Sequence, residues 1–207
     1  MLIFGLSTHS PSSHAQPPAS CTCLWQGSFN KVAANADLIV SGEIISQKGN
    51  SADLRIERTL YDRGVNFSEF NSIIRIWGDD GKECRPAIED FPTNSTWLMA
   101  LHKIDRDVPE GFNPSTPNIS YGRTNDYYLS KCGAYWLQLT EGYVTGNLIN
   151  GSRWQWHNDA MNPVLLELID AYLKDIIPDR ALIEAAKPQT AAKKLMEQTK
   201  QFIQSQQ

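Results

Sequence analysis

Short apolar segments separated by turn residues dominate the first two thirds of the chain. Residues 52–60 alternate apolar with polar or charged side chains, a pattern typical of a strand with one solvent-facing side. Gly42 interrupts the apolar segment 37–45, and a glycine inside a strand indicates a bulge or a sharp bend. Further strands are predicted at 72–77, 97–104, 127–129, 135–139 and 143–148. This spacing predicts a mainly β protein built as a small Greek-key barrel, with a long surface loop over 105–125.

The C-terminal part of the chain changes to a helical pattern. Asn162 followed by Pro163 is typical of a helix start, and Pro178 is expected to end that helix. The apolar stripe at helical spacing consists of Leu165, Leu168, Ile169, Tyr172, Leu173 and Ile176. We therefore predict a helix at 161–178 that docks on the barrel, followed by a helical tail at 179–207. A partner-binding or membrane-surface helix is the alternative for the tail.

Composition and charge are those of a folded globular protein. The chain has 207 residues, 41% of them hydrophobic, which suits one domain with a core of its own. A net charge of −4 gives no indication of a nucleic-acid or anionic-membrane partner. No apolar segment reaches the roughly 18 residues that a membrane-spanning helix requires.

The first 20 residues resemble the end of a secretory signal. Residues 1–6 are apolar, 7–20 are rich in Ser, Pro, Ala and Gln, and the Ser-His-Ala at 13–15 is a small-x-small cleavage site. We therefore expect the protein to be exported, to the periplasm, the cell surface or the medium. Processing directly before Cys21 as a lipid-modified cysteine is the alternative, and only then do we expect a membrane partner.

Four cysteines carry the most informative pattern in the sequence. Cys21 and Cys23 are separated by one residue, so a bridge between them would be severely strained. We expect their side chains to point to opposite sides of an extended segment. Cys84 and Cys132 lie far downstream. In an exported protein this pattern predicts two disulfides, pairing either 21–84 with 23–132 or 21–132 with 23–84.

The cysteines and their surroundings resemble the netrin-like module, the OB-fold domain shared with the tissue inhibitors of metalloproteinases. That module opens with Cys-x-Cys, a turn containing phenylalanine, and a strand that begins with Ala or Ser followed by Asp. The matching residues are Cys21, Thr22, Cys23, Phe29, Ala36 and Asp37, with further similarity at 81–84, 95–100 and 132–136. The resemblance implies an OB-type barrel at 21–160, with bridges Cys21–Cys84 and Cys23–Cys132.

The same resemblance implies a hypothesis about function. In the animal inhibitors, the free α-amine and the carbonyl of the first cysteine bind the catalytic zinc of the target protease. One hypothesis is therefore a metalloprotease inhibitor whose N-terminal residue is Cys21. Cleavage after residue 15, or acylation of Cys21, would remove the free amine. The candidate binding residues are Cys21, Thr22, Cys23, Leu24, Trp154 and Trp156.

Trp154 and Trp156 alternate along the chain, so an extended segment would present both indoles on one face. Such a face could bind an oligosaccharide or a peptide, or it could cover the barrel end against the predicted helix.

Motifs for catalysis or cofactor binding are missing from the sequence. There is no His-Glu-x-x-His, Cys-x-x-Cys, Gly-x-Ser-x-Gly or P-loop, and His102 and His157 have no metal-ligand neighbour at a useful spacing. We predict no catalytic residue, no cofactor and no metal site. The leading hypothesis is an exported, non-catalytic module that binds another protein. The alternatives are the metalloprotease inhibitor and a small hydrolase or oligosaccharide-binding barrel.

Overall fold

A computed structural model describes residues 21–64, 72–79, 83–106, 122–149 and 163–187, together with Phe202. Its strands are β1 Leu38–Lys48, β2 Ser51–Asp62, β3 Ile73–Trp77, β4 Thr96–Lys103, β5 Tyr127–Tyr128, β6 Trp136–Thr140, β7 Tyr143–Thr145 and β8 Val164–Leu165. Its helices are α1 Phe29–Val32, α2 Leu166–Leu173 and α3 Asp179–Ala186, with 3-10 turns at Ala33–Asn35 and Ile88–Asp90. In this described part of the chain, no helix is long and apolar enough to cross a membrane.

Five of the strands close into a barrel. β1 pairs antiparallel with both β2 and β4, and β2 pairs antiparallel with β3. The two-residue β5 completes the ring, because it lies parallel to β3 and antiparallel to β4. The order β1-β2-β3-β5-β4, returning to β1, is that of a small OB-type barrel and confirms the predicted fold class. β6, β7 and β8 continue the sheet from β4 as an antiparallel ribbon.

The long strand β1 can pair on both sides because its register changes at Gly42. The pairing of β1 with β2 shifts between Ser41 and Gly42. A Cβ atom at residue 42 would lie 2.3 Å from the carbonyl oxygen of Arg55, so only glycine allows the two strands to approach this closely. The glycine predicted to mark an irregularity in a strand therefore does so.

The core fills the barrel and extends under the segments that flank it. The fully buried side chains include Leu38, Ile39, Ile44, Leu54, Ile76, Leu98, Met99 and Leu101. Phe29 of α1, Ile169 of α2 and Leu182 of α3 belong to the same cluster. Both the segment before β1 and the helices after β8 are therefore held by one core, chiefly through burial of apolar surface.

The start of the C-terminal helix differs from the prediction. Pro163 lies outside any helix, and Val164 and Leu165 form β8, which pairs with β7. The helix α2 begins only at Leu166. Because sheet pairing occupies the backbone of residues 164 and 165, the local Asn-Pro start signal was overridden by tertiary structure.

The end of that helix differs as well. α2 ends at Leu173, and Asp175 then adopts a left-handed conformation with φ of 56°, which is typical of a residue that follows a helix. Pro178 precedes α3 instead of ending α2. The predicted helical tail is thus seen as α3, and residues 188–201 and 203–207 lie outside the described residues.

Candidate functional site

The N-terminal strip, residues 21–27, has no regular secondary structure and is attached to the barrel by covalent bonds. Disulfides join Cys21 to Cys84 and Cys23 to Cys132, with Cα–Cα distances of 5.3 and 5.8 Å. This is one of the two pairings that the residues alone left open. It connects a single short strip to one segment that follows β3 and to another that precedes β6.

Backbone hydrogen bonds hold the strip in addition to the disulfides. The amide of Gln26 donates to the carbonyl of Cys132 at 2.7 Å, and the amide of Ala134 donates to the carbonyl of Gly27 at 2.9 Å. Gly27 has a φ of 125°, which a residue with a side chain rarely adopts. Phe29, two residues further on, is buried in the core. The strip is therefore fixed along its length and at the end that enters α1.

The side chains of the strip alternate between the barrel and solvent. Cys21, Cys23 and Trp25 are half-buried, whereas Thr22 and Leu24 are exposed. The expectation that the two cysteines point to opposite sides was therefore wrong, because residues i and i+2 of an extended segment share a side. Leu24 is 83% exposed, the highest value among the large hydrophobic side chains of the described residues.

The two bridges lie side by side. The sulfur atoms of Cys21, Cys23 and Cys84 are all within 4.8 Å of one another. Cys132 is buried and bonded to Cys23, so its sulfur belongs to the same group. These four sulfur atoms, which come from three separate segments, are named the four-sulfur cluster below.

A cleft of about 560 Å³ opens beside the strip. The residues that line it come from distant parts of the chain and include Gln26, Glu83, Arg85, His102, Tyr128, Ser130 and Tyr135. The Tyr135 hydroxyl donates to Oε1 of Gln26 at 2.6 Å. The guanidinium carbon of Arg85, a residue only 4% exposed, lies 4.8 Å from the ring centroid of Tyr128, which is a cation–π contact.

Burial sets the protonation of the cleft side chains. It lowers the pKa of His102 below its ordinary value of 6.5, although the charge of Asp37 acts in the opposite direction. Burial raises the pKa of Tyr135 to about 12 and raises that of Tyr128 as well. At neutral pH the cleft therefore combines a neutral imidazole and two neutral phenols with the cationic Arg85. Such a set can donate hydrogen bonds and attract an acidic or carbonyl group.

His102 and Asp37 are the His–carboxylate pair that a hydrolase hypothesis would use. Nδ1 of His102 is 3.8 Å from Oδ2 of Asp37, which is longer than a hydrogen bond. That carboxylate oxygen instead accepts the amide of Lys103 at 3.0 Å. Among the described residues, no hydroxyl is hydrogen-bonded to His102, so the nucleophile–base contact of covalent hydrolases is not formed there. The geometry supports binding better than it supports hydrolysis.

The structure joins only some of the residues singled out from the sequence. Cys21, Thr22, Cys23 and Leu24 form one continuous strip, whereas Trp154 and Trp156 lie outside the described residues. The cleft was not predicted, although residues 85 and 135 lie one and three positions after a cysteine and are brought together where the bridges form. Neither a scan of known protein families nor a search of curated proteins returned a match for the chain.

Proposed function

We propose that this protein is an exported, non-catalytic module that binds another protein through the N-terminal strip and the adjoining cleft. The observation that carries the proposal is the 83% exposure of Leu24 on a segment that two disulfides and backbone hydrogen bonds hold in place. A single exposed leucine needs no explanation by itself, because much of any protein surface is apolar. A leucine on a covalently fixed strip beside a cleft has the features of an interface anchor.

Fixing the strip before a partner arrives favours affinity. Ordering a mobile side chain at an interface costs about 0.5–1.5 kcal/mol, and ordering a loop costs more. The bridges order the backbone of the strip when the protein folds, so binding does not have to. Burying the Leu24 side chain in a partner would then contribute about 1.5–3 kcal/mol. Thr22 lies two residues away and is exposed on the same side, which extends the contact surface.

The cleft adds a polar contact to this apolar anchor. Arg85 and Gln26 offer hydrogen-bond donors, and the pKa of His102 is lowered by burial, so its imidazole is neutral at neutral pH. We expect a partner that inserts an acidic side chain or a backbone carbonyl beside its own apolar pocket. Export is supported by the two disulfides, which persist in oxidising compartments, and by the leader-like residues 1–20.

Site-specific photo-crosslinking tests the proposal. A photo-reactive amino acid in place of Leu24 is expected to capture one discrete protein from the secreted fraction of the native host. The matched control carries the same group in place of Leu165, another leucine that is exposed, at 47%, in β8. An excess of unlabelled wild-type protein should compete for the adduct, and an excess of Leu24→Asp should not. Equal capture from both positions, or no adduct at position 24, would contradict the proposal.

A metalloprotease is the partner class that one further observation favours. Within the described residues, neither the backbone nitrogen nor the carbonyl oxygen of Cys21 takes part in a hydrogen bond. In a chain that begins at Cys21, an amine and a carbonyl on a fixed residue would both be available to bind a zinc ion in the partner. This is the chemistry that the resemblance to the metalloproteinase inhibitors implies.

Two preparations of the protein separate this mechanism from binding in general. One begins at Cys21 and the other keeps Ser20, so that the nitrogen of Cys21 is an amide. We expect only the first to inhibit zinc endopeptidases, because an amide nitrogen is a poor zinc ligand. If both inhibit equally, the contact is made by side chains of the strip. If neither inhibits while crosslinking at Leu24 succeeds, the partner belongs to another class.

A further inference from the structure

We infer that the four-sulfur cluster binds one zinc ion when the two disulfides are reduced. The sulfur atoms of Cys21, Cys23 and Cys84 already lie within 4.8 Å of one another, and that of Cys132 is bonded to Cys23. Zinc–sulfur bonds of about 2.3 Å in a tetrahedral site place the ligand sulfurs roughly 3.8 Å apart. Four thiolates gathered to nearly this spacing are the ligand set of a structural zinc site.

Contacts other than the bridges keep the cysteine-bearing segments together. The amide of Gln26 donates to the carbonyl of Cys132 at 2.7 Å, which joins the strip to the segment before β6. The amide of Lys131 donates to the carbonyl of Cys84 at 2.8 Å, which joins that segment to the one after β3. Because these bonds do not depend on the oxidation state of sulfur, reduction would open the bridges while the four thiols stay close together.

Nearby cations suit the negative charge of a zinc tetrathiolate. Arg85 directly follows Cys84, and Lys131 directly precedes Cys132 in the chain. Positively charged neighbours favour the thiolate form of cysteine, which is the form that binds metal. Lys131 also contacts a carboxylate, since its Nζ lies 3.4 Å from Oδ2 of Asp79. The surroundings of the cluster thus carry both the sulfur ligands and cations that offset their charge.

Zinc and the disulfides use the same sulfur atoms, so the two states exclude each other. A phosphine or dithiol reductant supplies two electrons to each bridge, and two protons complete each pair of thiols. Zinc then replaces thiol protons, which pass to solvent. A disulfide oxidant reverses the process, because each pair of thiolates gives up two electrons, the S–S bond forms again and zinc is released. The redox state of the compartment selects the form, and this inference does not rest on the proposed binding function.

Cobalt titration of the reduced, full-length protein tests the inference. Under anaerobic conditions and with a phosphine reductant, we expect one cobalt ion per chain, with thiolate-to-cobalt charge-transfer absorption and the visible bands of a tetrahedral site. Zinc should displace the cobalt and should raise the unfolding temperature of the reduced chain but not of the oxidised chain. Cys84→Ser and Cys132→Ser should each weaken binding by more than about tenfold, since losing even an outer contact of a metal site has that effect.

A titration in concentrated denaturant distinguishes a folded site from cysteines on an unfolded chain. Binding that is much tighter without denaturant supports a site built by the fold, and so does refolding of the reduced chain on addition of zinc, followed by tryptophan emission. The inference is overturned if the reduced chain binds no cobalt, if Cys84→Ser binds as tightly as the wild type, or if the affinity is the same in denaturant.

Discussion

The two ends of the described chain are attached to the barrel by different means. None of the seven residues of the N-terminal strip is fully buried, and two disulfides hold it. The helix α2 is held by burial, with Leu166 and Ile169 only 7% and 0% exposed. An ion pair reinforces it, since Nη2 of Arg58 in β2 lies 2.7 Å from Oδ2 of the buried Asp170.

This difference determines which surface is available to a partner. A segment that is attached by burial has already used its apolar face, and a partner would have to displace it from the core. A segment attached by covalent bonds can keep an apolar side chain such as Leu24 in solvent without becoming mobile. We therefore place the binding surface at the strip and assign α2 a structural role.

Removal of the longer bridge should have the largest effect. Replacing Cys23 and Cys132 together by Ala is expected to lower the free energy of unfolding by about 4 kcal/mol, because the bridge closes a loop across a sequence separation of 109 residues. The matched variant replaces Cys21 and Cys84, which are 63 residues apart, and should lose about 0.5 kcal/mol less. Urea denaturation of both variants under oxidising conditions measures the difference. A loss below about 1 kcal/mol for either variant would show that hydrogen bonds alone fix the strip.

Truncating one aliphatic side chain at each end compares the two attachments directly. Ile169→Ala should cost about 3 kcal/mol, because it removes fully buried methyl groups and leaves a cavity under α2. Leu24→Ala should change the free energy of unfolding by less than about 0.5 kcal/mol, because the side chain is exposed. The same urea titrations give both values. A loss of 2 kcal/mol or more for Leu24→Ala, on the order of a buried-site truncation, would mean that the leucine packs on the barrel.

The ion cluster under α2 should give an intermediate effect. Asp170 accepts from Arg58 at 2.7 Å and from Lys174 at 2.8 Å, and its other carboxylate oxygen is buried without a hydrogen bond in the described structure. Arg58→Met should cost about 2 kcal/mol, because a buried carboxylate loses a charged donor from the barrel. Lys174→Met should cost less, since that lysine belongs to α2 itself and is about half exposed. A double-mutant cycle with Asp170→Asn isolates the pairwise energies, and equal costs for both single variants would contradict this assignment.

The sequence predicted the parts of the fold that depend on local pattern. Alternating residues marked β2, and Gly42 marked the irregularity in β1, because side-chain period and glycine geometry are properties of a few neighbouring residues. The closure of the barrel depends on β5, which is only two residues long and pairs with strands far away in the chain. No local pattern predicts such a strand. The start of α2 was predicted wrongly for the same reason, since pairing with β7 decides it.

The candidate site could be predicted only where it is continuous in sequence. The strip followed from the Cys-x-Cys pattern, but the residues left two disulfide pairings open, because pairing depends on which segments meet in space. The cleft combines side chains from four separate segments, among them Gln26, Arg85, His102 and Tyr135. His102 gave no useful pattern because its neighbours in the cleft are not its neighbours in the chain.

Acid should destabilise the cleft side of the barrel, and this is the smallest of the expected effects. Burial lowers the pKa of His102 below 6.5, Arg63 reinforces the shift, and Asp37 opposes it. The unfolded chain therefore takes up this proton at a higher pH than the folded chain, so stability falls as the pH drops below about 6.5 and levels off once folded His102 is protonated. Asp53 acts in a separate window: its hydrogen bond with Arg75 lowers its pKa below 3.8, so its contribution is present above that value and is lost only in stronger acid.

The free energy of unfolding, measured at about pH 7.5 and pH 5.5, tests this assignment on either side of the ordinary histidine pKa. In His102→Gln the loss of stability between the two pH values should shrink, because glutamine fills a similar space and does not titrate. His157→Gln is the matched control, since it removes a histidine from outside the cleft residues described above. If both variants keep the full pH dependence, another group senses acid. If His102→Gln alone loses it, the end of the barrel that carries the strip is sensitive to mild acid through a side chain of the binding cleft. Binding by the strip would then weaken over the same pH range, because a protonated His102 would be buried beside Arg85 without a hydrogen-bonded carboxylate.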